Sequence, residues 1–202
     1  MVTTSGFYCL SIFELMDDYD KEGICRLLSD FKCTQNSEIE KFLHNNSYDF
    51  SVKYQAITYL IYSNETDNIV GYFSLSVKPI IIKSDNLSNR SLNKILRMSD
   101  FDEENKTVNP AAYLIAQLGK NDGADINIDA IFEIIDIVVS KIQKSCGGVV
   151  EFLESENEEK LVNMYQNKGF KTFNIRKSKS GEDRKLVQMY RSFSMKKYIE
   201  WI

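Results

Sequence analysis

The chain contains few of the residues that interrupt regular secondary structure. It has two prolines, Pro79 and Pro110, and nine glycines in 202 residues. This scarcity excludes a proline-rich or glycine-rich linker, and no repeat recurs along the chain. A chain of this length forms one sizeable α/β domain more readily than two. We therefore expect a single domain over residues 1–202, with an insertion at about residues 83–109.

Cysteine and histidine are also scarce. The four cysteines, Cys9, Cys25, Cys33 and Cys146, show no Cys-x-x-Cys spacing, and His44 is the only histidine. Metal sites and disulfide frameworks need such residues in clusters. The sequence therefore suggests neither a zinc site nor a disulfide framework, and we expect reduced thiols that pack as small hydrophobic groups.

Targeting and membrane signals are absent from the sequence. Residues 1–10 lack a basic region followed by an apolar one, as a signal peptide would have. No stretch approaches the ~20 apolar residues that cross a bilayer. We expect a cytoplasmic protein without a membrane partner.

The composition is that of a chain that folds, with 43% hydrophobic and 27% charged residues. The net charge of −4 argues against a protein that binds nucleic acid over its whole surface. Locally, residues 168–191 are rich in lysine and arginine, whereas residues 151–160 are rich in glutamate. A solvated hairpin and an anion-facing edge are two interpretations of the basic segment, and both stay open.

Hydrophobic periodicity predicts the elements of the first half. A capping-box pattern, Ser37 followed by Glu40, marks the start of the second helix, and Ile39, Phe42 and Leu43 supply its inner face. The predicted order is a strand at Phe7–Leu15, a helix at Asp20–Phe31, a helix from Ser37 that fades near Phe50, and an antiparallel hairpin of Gln55–Tyr62 with Ile69–Ile82.

The second half begins with a surface excursion, in which Ser88–Met98 forms a short helix. Two β-α units follow, and their strands, Ala111–Leu118 and Val149–Leu153, are expected to be neighbours because such units pair parallel strands through a right-handed crossover. The remaining predictions are a helix at Ile126–Ser145, a helix capped by Ser155 with Glu158 at its third position, and a closing hairpin of Phe170–Arg176 with Lys185–Phe193 around Ser180-Gly181-Glu182-Asp183.

This order of elements resembles the GNAT family of N-acetyltransferases. Tyr113-Leu114-Ile115-Ala116-Gln117-Leu118-Gly119 looks like the cofactor-facing strand of that family. Leu161 to Phe170 looks like its signature of an aromatic residue, Tyr, three residues, Gly and Phe, with Met164 in place of the aromatic. The residues from Phe31 to Leu43 and from Gly71 to Ser76 look like the front half of a subgroup that includes acetyltransferase toxins acting on aminoacyl-tRNA.

The resemblance implies an α/β (α+β) architecture, the GNAT fold. Its mixed central sheet has about six to seven strands flanked by helices, with parallel strands splayed at the cofactor gap. Acetyl-CoA would be the acyl donor, with its pantetheine arm on strand backbone and its pyrophosphate on amides at a helix start. The implied donor residues are Gln117, Leu118, Gly119 and Lys120 for the pantetheine, and Gly123, Ala124, Asn127, Ile128 and Asp129 for the pyrophosphate.

The expected pyrophosphate loop departs from the family pattern. The family has Arg or Gln, two residues, Gly, one residue, and Gly or Ala, whereas this chain has Gly123 to Asp129 without an arginine. Asp125 and Asp129 suit the helix dipole but repel a phosphate, by about 1 kcal/mol or less at an exposed site. Lys120 or Lys160 would offset that repulsion. An ordinary capped helix in a chain that has lost cofactor binding is the alternative.

Tyr165 is the implied catalytic residue. In the family the equivalent tyrosine protonates, or donates a hydrogen bond to, the departing CoA thiolate; a half-buried core tyrosine is the structural alternative. The amine must lose a proton before attack, and Glu151 and Glu154 are candidate bases, either directly or through water. A cysteine nucleophile is set aside because no histidine is placed beside a thiol.

Three functions stay open at this point. The first is acetylation of a small amine or a protein amino group. The second is acetylation of the amino acid on a charged tRNA, which the acidic net charge disfavours. The third is a non-catalytic binding module. The sequence also leaves open whether the chain is a monomer or a homodimer paired through its closing strands.

Overall fold

The computed structural model of the protein describes residues 1–177 and 184–192. The strands are β1 (Val2–Thr4), β2 (Phe7–Ser11), β3 (Ile57–Ser63), β4 (Ile69–Pro79), β5 (Ile82–Lys83), β6 (Phe101–Asp102), β7 (Thr107–Val108), β8 (Ala111–Lys120), β9 (Val150–Glu156), β10 (Lys171–Lys177) and β11 (Lys185–Ser192). The helices are α1 (Ile12–Leu15), α2 (Lys21–Ser29), α3 (Ser37–Asn45), α4 (Ser47–Val52), α5 (Asn89–Ile95), α6 (Ile128–Cys146) and α7 (Glu159–Asn167), with a 3-10 turn at Ser84–Asn86.

The strands form a large mixed sheet and a small one. The large sheet has eight strands in the order β1-β2-β3-β4-β8-β9-β11-β10, and the small sheet has three in the order β5-β7-β6. This architecture confirms the expected fold class, with a sheet slightly larger than expected. Strands β8 and β9 are neighbours, as the crossover through α6 predicted, and β3 pairs with β4 as an antiparallel hairpin.

The chain divides into two compact units. The first consists of Met1–Ser76 and Ile115–Ser145, and the second consists of Val77–Leu114 together with the described part of Cys146–Ile202. Each unit has its own hydrophobic core. In the first unit the apolar faces of α2 and α3 pack on β3 and β4, because their apolar residues recur at helical spacing. Its most deeply buried members are Ile24, Leu28, Phe31, Leu43, Leu60 and Tyr72.

Two helix starts in the first unit differ from the predictions. The strand predicted at Phe7–Leu15 is β2, and it ends at Ser11 because Ser11 and Glu14 form a capping box that begins α1. The N-cap of α3 is Asn36 rather than Ser37, and its side chain accepts a hydrogen bond from the Glu38 N–H. Glu40, the expected partner of Ser37, instead accepts a hydrogen bond from the Cys33 N–H at 2.8 Å.

The insertion, residues 83–109, is not the surface excursion that the sequence suggested. It folds as α5 and the three-stranded sheet, and it belongs to the core of the second unit. Ile82, Ile95 and Val108 are fully buried in one cluster with Phe152 and Tyr190 of the large sheet. Asn86 also donates a hydrogen bond from Nδ2 to the Phe173 carbonyl at 2.7 Å. Polar residues separate these buried apolar residues in the sequence, so the hydrophobic pattern did not reveal that the segment belongs to the core.

The closing part of the second unit is partly as predicted. Strands β10 and β11 form the expected antiparallel hairpin, and the turn expected at residues 180–183 lies outside the described residues. Ser155 was wrongly predicted to cap a helix. It lies within β9, where it is buried, and Glu158 occupies the N-cap position of α7. The strand is longer than expected because Leu186 and Val187 pair with Glu156 and Ser155.

Candidate active site

The end of strand β8 contains the first predicted donor residues. Gln117 and Leu118 are partly buried, whereas Gly119 is fully enclosed. A Cβ at residue 119 would lie 2.5 Å from Ile39 Cγ2 and 2.7 Å from Tyr72 Cε1. Contacts this short force neighbouring groups to move. Tight packing in the first unit therefore requires glycine at this position, independently of any ligand.

The loop after β8 is fastened to a segment far away in the sequence. Lys120, the last residue of β8, has an exposed side chain. Asn121 Oδ1 accepts a hydrogen bond from the Lys32 N–H at 2.8 Å, and Asp122 Oδ2 accepts one from the Thr34 N–H at 2.9 Å. These bonds define the path by which the chain leaves the strand.

The predicted pyrophosphate loop begins with a turn and ends at the cap of α6. Gly123 has a φ of +71°, which glycine adopts without steric cost, and the Ala124 N–H donates to the Asn121 carbonyl at 3.2 Å. Asn127 Oδ1 accepts a hydrogen bond from the Ala130 N–H at 2.8 Å and so caps α6. The protein itself therefore uses one of the amides with which a helix start binds anions.

Carboxylates share this loop with the amides. Asp125 is exposed, Ile128 is partly buried, and Asp129 lies in the exposed first turn of α6. An acidic residue in the first turn interacts favourably with the helix dipole. A phosphate at the same place would meet both attractive backbone N–H groups and repulsive carboxylates.

Tyr165, in the second unit, lies near the end of α7. Its ring packs edge-on against Phe170, with the ring centroids 6.2 Å apart and the planes at 75°. The Phe170 N–H donates to the Tyr165 carbonyl at 3.1 Å, and Gly169, with a φ of +86°, turns the chain between them. Burial raises the pKa of Tyr165 to about 12. The phenol is therefore protonated at neutral pH and can donate its proton or a hydrogen bond.

Glu151 is completely buried on β9 and forms an ion pair with Arg191, the residue opposite it on β11. The Arg191 guanidinium also lies over the Phe170 ring, 4.6 Å from its centroid, and donates from Nη1 to the Lys168 carbonyl at 3.2 Å. A buried charge needs such pairing to be tolerated. The pair therefore ties the end of α7 to the sheet.

Glu154 lies on the other face of β9, within a polar row across the closing strands. Its Oε1 accepts hydrogen bonds from Arg176 Nε and Gln188 Nε2, both at 2.7 Å. Burial by itself raises the pKa of Glu154, but these hydrogen bonds and the charge of Arg176 hold it below its usual range. A carboxylate with a lowered pKa is a weaker base.

The structure thus distributes the predicted residues over both units. The donor residues of β8, the loop and the start of α6 are contiguous in the first unit, whereas Tyr165, Glu151, Glu154 and the exposed Lys160 of α7 belong to the second. Sequence analysis missed Asn121 as well as the arginine partners of the two glutamates. Within residues 1–177 and 184–192, no group of three or more His, Cys, Asp or Glu residues could hold a metal ion.

The longest described helix, α6, has 19 residues. Neither it nor any other helix in the described part of the chain is long and apolar enough to cross a membrane.

No family model matches the sequence, and no curated protein matches it. Solved structures do match its fold. A structure of AtaT complexed with acetyl-methionyl-tRNA has a TM-score of 0.60 at 17% identity, covering 95% of this chain and 96% of that one. A tyrosine-to-phenylalanine mutant of KacT has a TM-score of 0.61 at 16% identity, covering 91% and 94%.

A third structure, the NatC complex bound to Gag peptide and CoA, has a TM-score of 0.52 at 13% identity, covering 94% of this chain and 99% of that one. These three structures are of acetyltransferases with the GNAT fold. Together with the strand order, they show that this chain has the GNAT fold.

Proposed function

We propose that the chain is an N-acetyltransferase that transfers an acetyl group from acetyl-CoA to a primary amine by direct attack. The supporting observation is the position of Tyr165, a phenol near the end of α7 whose ring packs edge-on against Phe170, with both residues in the segment that resembles the family signature. The fold supports the proposal, because its solved examples include acetyltransferases.

In the proposed reaction the neutral amine nitrogen attacks the thioester carbonyl carbon. A C–N bond forms, the C–S bond breaks, and CoA leaves as a thiolate. A thiol has a pKa of about 8.5, well below that of this phenol, so Tyr165 donates a charge-assisted hydrogen bond to the developing thiolate. The thiolate takes its proton from solvent after it leaves.

The donor residues would act mainly through their backbone. Strand backbone at Gln117, Leu118, Gly119 and Lys120 would pair with the pantetheine amides, as an added strand does. Amides from Gly123 to Asp129 would bind the pyrophosphate. Lys120 and Lys160, both exposed, would offset the carboxylates of the loop. An exposed charge contributes about 1 kcal/mol or less, so these lysines would tune affinity without deciding it.

The base is the less defined half of the chemistry. Glu151 and Glu154 stay candidates, but each is paired with an arginine, and an arginine-paired carboxylate accepts a proton less readily. We therefore propose a water chain to bulk solvent as the main route for the amine proton. Glu154, which is partly exposed, is the more accessible of the two carboxylates to such water.

Binding of acetyl-CoA is the first test. A ligand that binds only the native state must raise the melting temperature, by an amount that grows with ligand concentration. We expect acetyl-CoA in excess to stabilise the wild-type protein. If no stabilisation occurs and calorimetry detects no binding, the enzyme proposal fails and the non-catalytic binding module replaces it.

Replacement of Tyr165 by phenylalanine tests the chemistry. Loss of a general acid costs about 10²–10⁴-fold in rate, so Tyr165→Phe should lower kcat at least about 100-fold while the Kd for acetyl-CoA stays within a factor of about 2. Release of CoA thiol, with a panel of amines as acceptors, measures the rate. Tyr19→Phe is the control, because Tyr19 is an exposed tyrosine of the first unit.

An unchanged rate in Tyr165→Phe would remove Tyr165 from the mechanism. The rate of wild-type protein should not decline between pH 8 and pH 10 through phenol ionisation, because a pKa of about 12 keeps Tyr165 protonated over that range. A loss of activity with a midpoint near pH 10, abolished in the phenylalanine variant, would contradict the raised pKa.

Acetylation of aminoacyl-tRNA is the second candidate function. The fold match to AtaT complexed with acetyl-methionyl-tRNA, over 95% of this chain, favours it. Against it, Arg176, Arg184 and Arg191 of the basic closing segment are engaged by glutamates of β9, which reduces the charge available for phosphates. Growth arrest on expression that Tyr165→Phe relieves would favour this function, and harmless expression would count against it.

A further inference from the structure

Asn121 is the first residue after strand β8, and all of its side-chain polar groups are bonded to backbone. Its Nδ2 donates to the Ile69 carbonyl at 2.7 Å, and its Oδ1 accepts from the Lys32 N–H at 2.8 Å. Its own N–H donates to the Val70 carbonyl at 3.0 Å. One residue therefore joins the end of β8, the start of β4 and the segment after α2.

The segment after α2 is itself firmly held, so it can serve as an anchor. The Asp122 N–H donates to the Lys32 carbonyl at 2.9 Å, and Thr34 donates its N–H to Asp122 Oδ2. The Cys33 N–H donates to Glu40 Oε2 on α3 at 2.8 Å. The segment after α2 is therefore tied both to α3 and to the loop after β8.

The strand end next to this junction has little freedom to move. Tyr72 donates a hydrogen bond from Oη to the Ile39 carbonyl at 2.7 Å, and both residues confine Gly119. A Cβ on Gly71 would lie 3.0 Å from the Gly119 carbonyl. Asn121 thus lies between the tightly packed end of β8 at Gly119 and the exposed turn at Gly123.

We propose that Asn121 is a positioning residue for the acyl donor. It holds the exit of β8 so that the strand backbone up to Lys120 and the amides from Gly123 onward are arranged before the donor binds. This inference rests on the proposed function, which assigns the donor to those residues. An amide side chain does not titrate, and it satisfies the Ile69 carbonyl and the Lys32 N–H without adding charge near a polyanionic ligand.

Preorganisation has a measurable signature. A protein whose loop must become ordered on binding has a higher Kd for the donor, because ordering the loop costs part of the binding free energy. Once the donor is bound, the reacting groups are in place and the rate at saturation is retained. A residue that only supports the fold would instead lower the melting temperature and leave the Kd of the folded fraction unchanged.

The experiment compares Asn121→Ala with Asp20→Ala. Asp20 caps α2 in the same unit through the Gly23 N–H at 2.8 Å, so its loss lowers stability without removing any contact of the donor loop. We expect Asn121→Ala to raise the Kd for acetyl-CoA about tenfold by calorimetry, with kcat at saturating donor within a factor of about 2 for any amine that the wild type acetylates. Asp20→Ala should keep the wild-type Kd.

Asn121→Asp provides a second variant in case the alanine variant does not fold. The aspartate keeps the acceptor for the Lys32 N–H, loses the donor to the Ile69 carbonyl and adds a negative charge near the proposed donor site, so its Kd should also exceed the wild-type value. A wild-type Kd in either Asn121 variant overturns this inference while the proposed function stands. No detectable binding to the wild-type protein overturns both.

Discussion

Carboxylates are held in different ways in strand β9 and in the loop from Gly119 to Asp129. Every glutamate of β9 is paired with an arginine of the closing segment: Glu151 with Arg191, Glu154 with Arg176 and Glu156 with Arg184. In the loop, Asp122 accepts a hydrogen bond from a backbone amide, and Asp125 is exposed to solvent.

The difference follows from burial. Glu151 is fully buried and cannot be hydrated, so it needs a cation beside it, whereas Glu154 and Glu156 are partly buried and lose part of their hydration. A carboxylate on a loop keeps its water, and a backbone N–H is sufficient to orient it. The charges of β9 are therefore mostly neutralised within the protein, whereas those of the loop act on whatever approaches it. Arginine-paired carboxylates and solvent-exposed carboxylates are thus separated by position in the fold.

Breaking the buried ion pair of Glu151 and Arg191 should have the largest effect, a decrease in the free energy of unfolding. Arg191→Met leaves Glu151 without its guanidinium in a fully buried position, and removal of one partner of such a pair costs about 3–5 kcal/mol. Urea denaturation of the variant measures the change in the free energy of unfolding. The double variant Glu151→Gln, Arg191→Met should recover most of that loss, since no uncompensated charge remains. A loss below about 1 kcal/mol in Arg191→Met would show that the pair is not structural.

The partly exposed pair of Glu154 should have a smaller, pH-dependent effect. Its pKa in the folded protein lies below the usual value, so its contribution to stability is present above the unfolded pKa of about 4.3 and is lost as pH falls through the folded pKa. Glu154→Gln should therefore cost about 1 kcal/mol or less at pH 7 and nothing in strong acid. Unfolding curves between pH 2 and pH 7 measure this.

Glu103→Gln is the control for that series, because the Glu103–Lys106 pair is largely exposed and an exposed pair contributes little to stability. The Glu154→Gln variant also tests the catalytic prediction. Proton relay to solvent predicts a rate within a few-fold of wild type, whereas a loss of about 100-fold at pH 7 would identify Glu154 as the general base.

A substitution in the loop should have the smallest effect, and it should increase the affinity for acetyl-CoA. Asp125→Asn removes an exposed negative charge near the proposed pyrophosphate site, which is worth less than about 1 kcal/mol, so the Kd for acetyl-CoA should fall by up to about five-fold. The gain should shrink at high salt. Calorimetry at low and high ionic strength measures both, with Asp17→Asn, another exposed aspartate, as the control. Weaker binding by Asp125→Asn would mean that this carboxylate assists the donor.

Local pattern predicted much of the fold. The strand and helix order was readable because apolar residues recur at the periods of two and 3.6 that exposed and buried faces impose. The N-cap residues were harder to predict, because several side chains that could accept the capping hydrogen bond lie next to one another at a helix start. At α3 the sequence pattern favoured Ser37 as the N-cap because Glu40 follows it by three residues. Glu40 instead accepts a hydrogen bond from the Cys33 N–H, and Asn36 is the N-cap.

The sequence could nominate site residues as a group only where they are contiguous. The predicted donor residues follow one strand into one helix, and their role stays a prediction. The partners of Asn121 lie 52 and 89 residues away in the sequence, and Arg191 lies 40 residues from Glu151. Long-range pairs of this kind depend on strand order and register, which local periodicity does not encode.

The insertion has a consequence for recognising relatives of this chain. Because α5 and the small sheet cover Phe152, Phe173 and Tyr190, a natural relative that lacks this segment would present three aromatic rings to water. Such a relative should carry polar residues at those three positions or supply another apolar cover from elsewhere in its chain. We therefore expect the insertion and the three aromatic residues to be present together or absent together among relatives. Sequences alone can then sort relatives into those with the insertion and those without it.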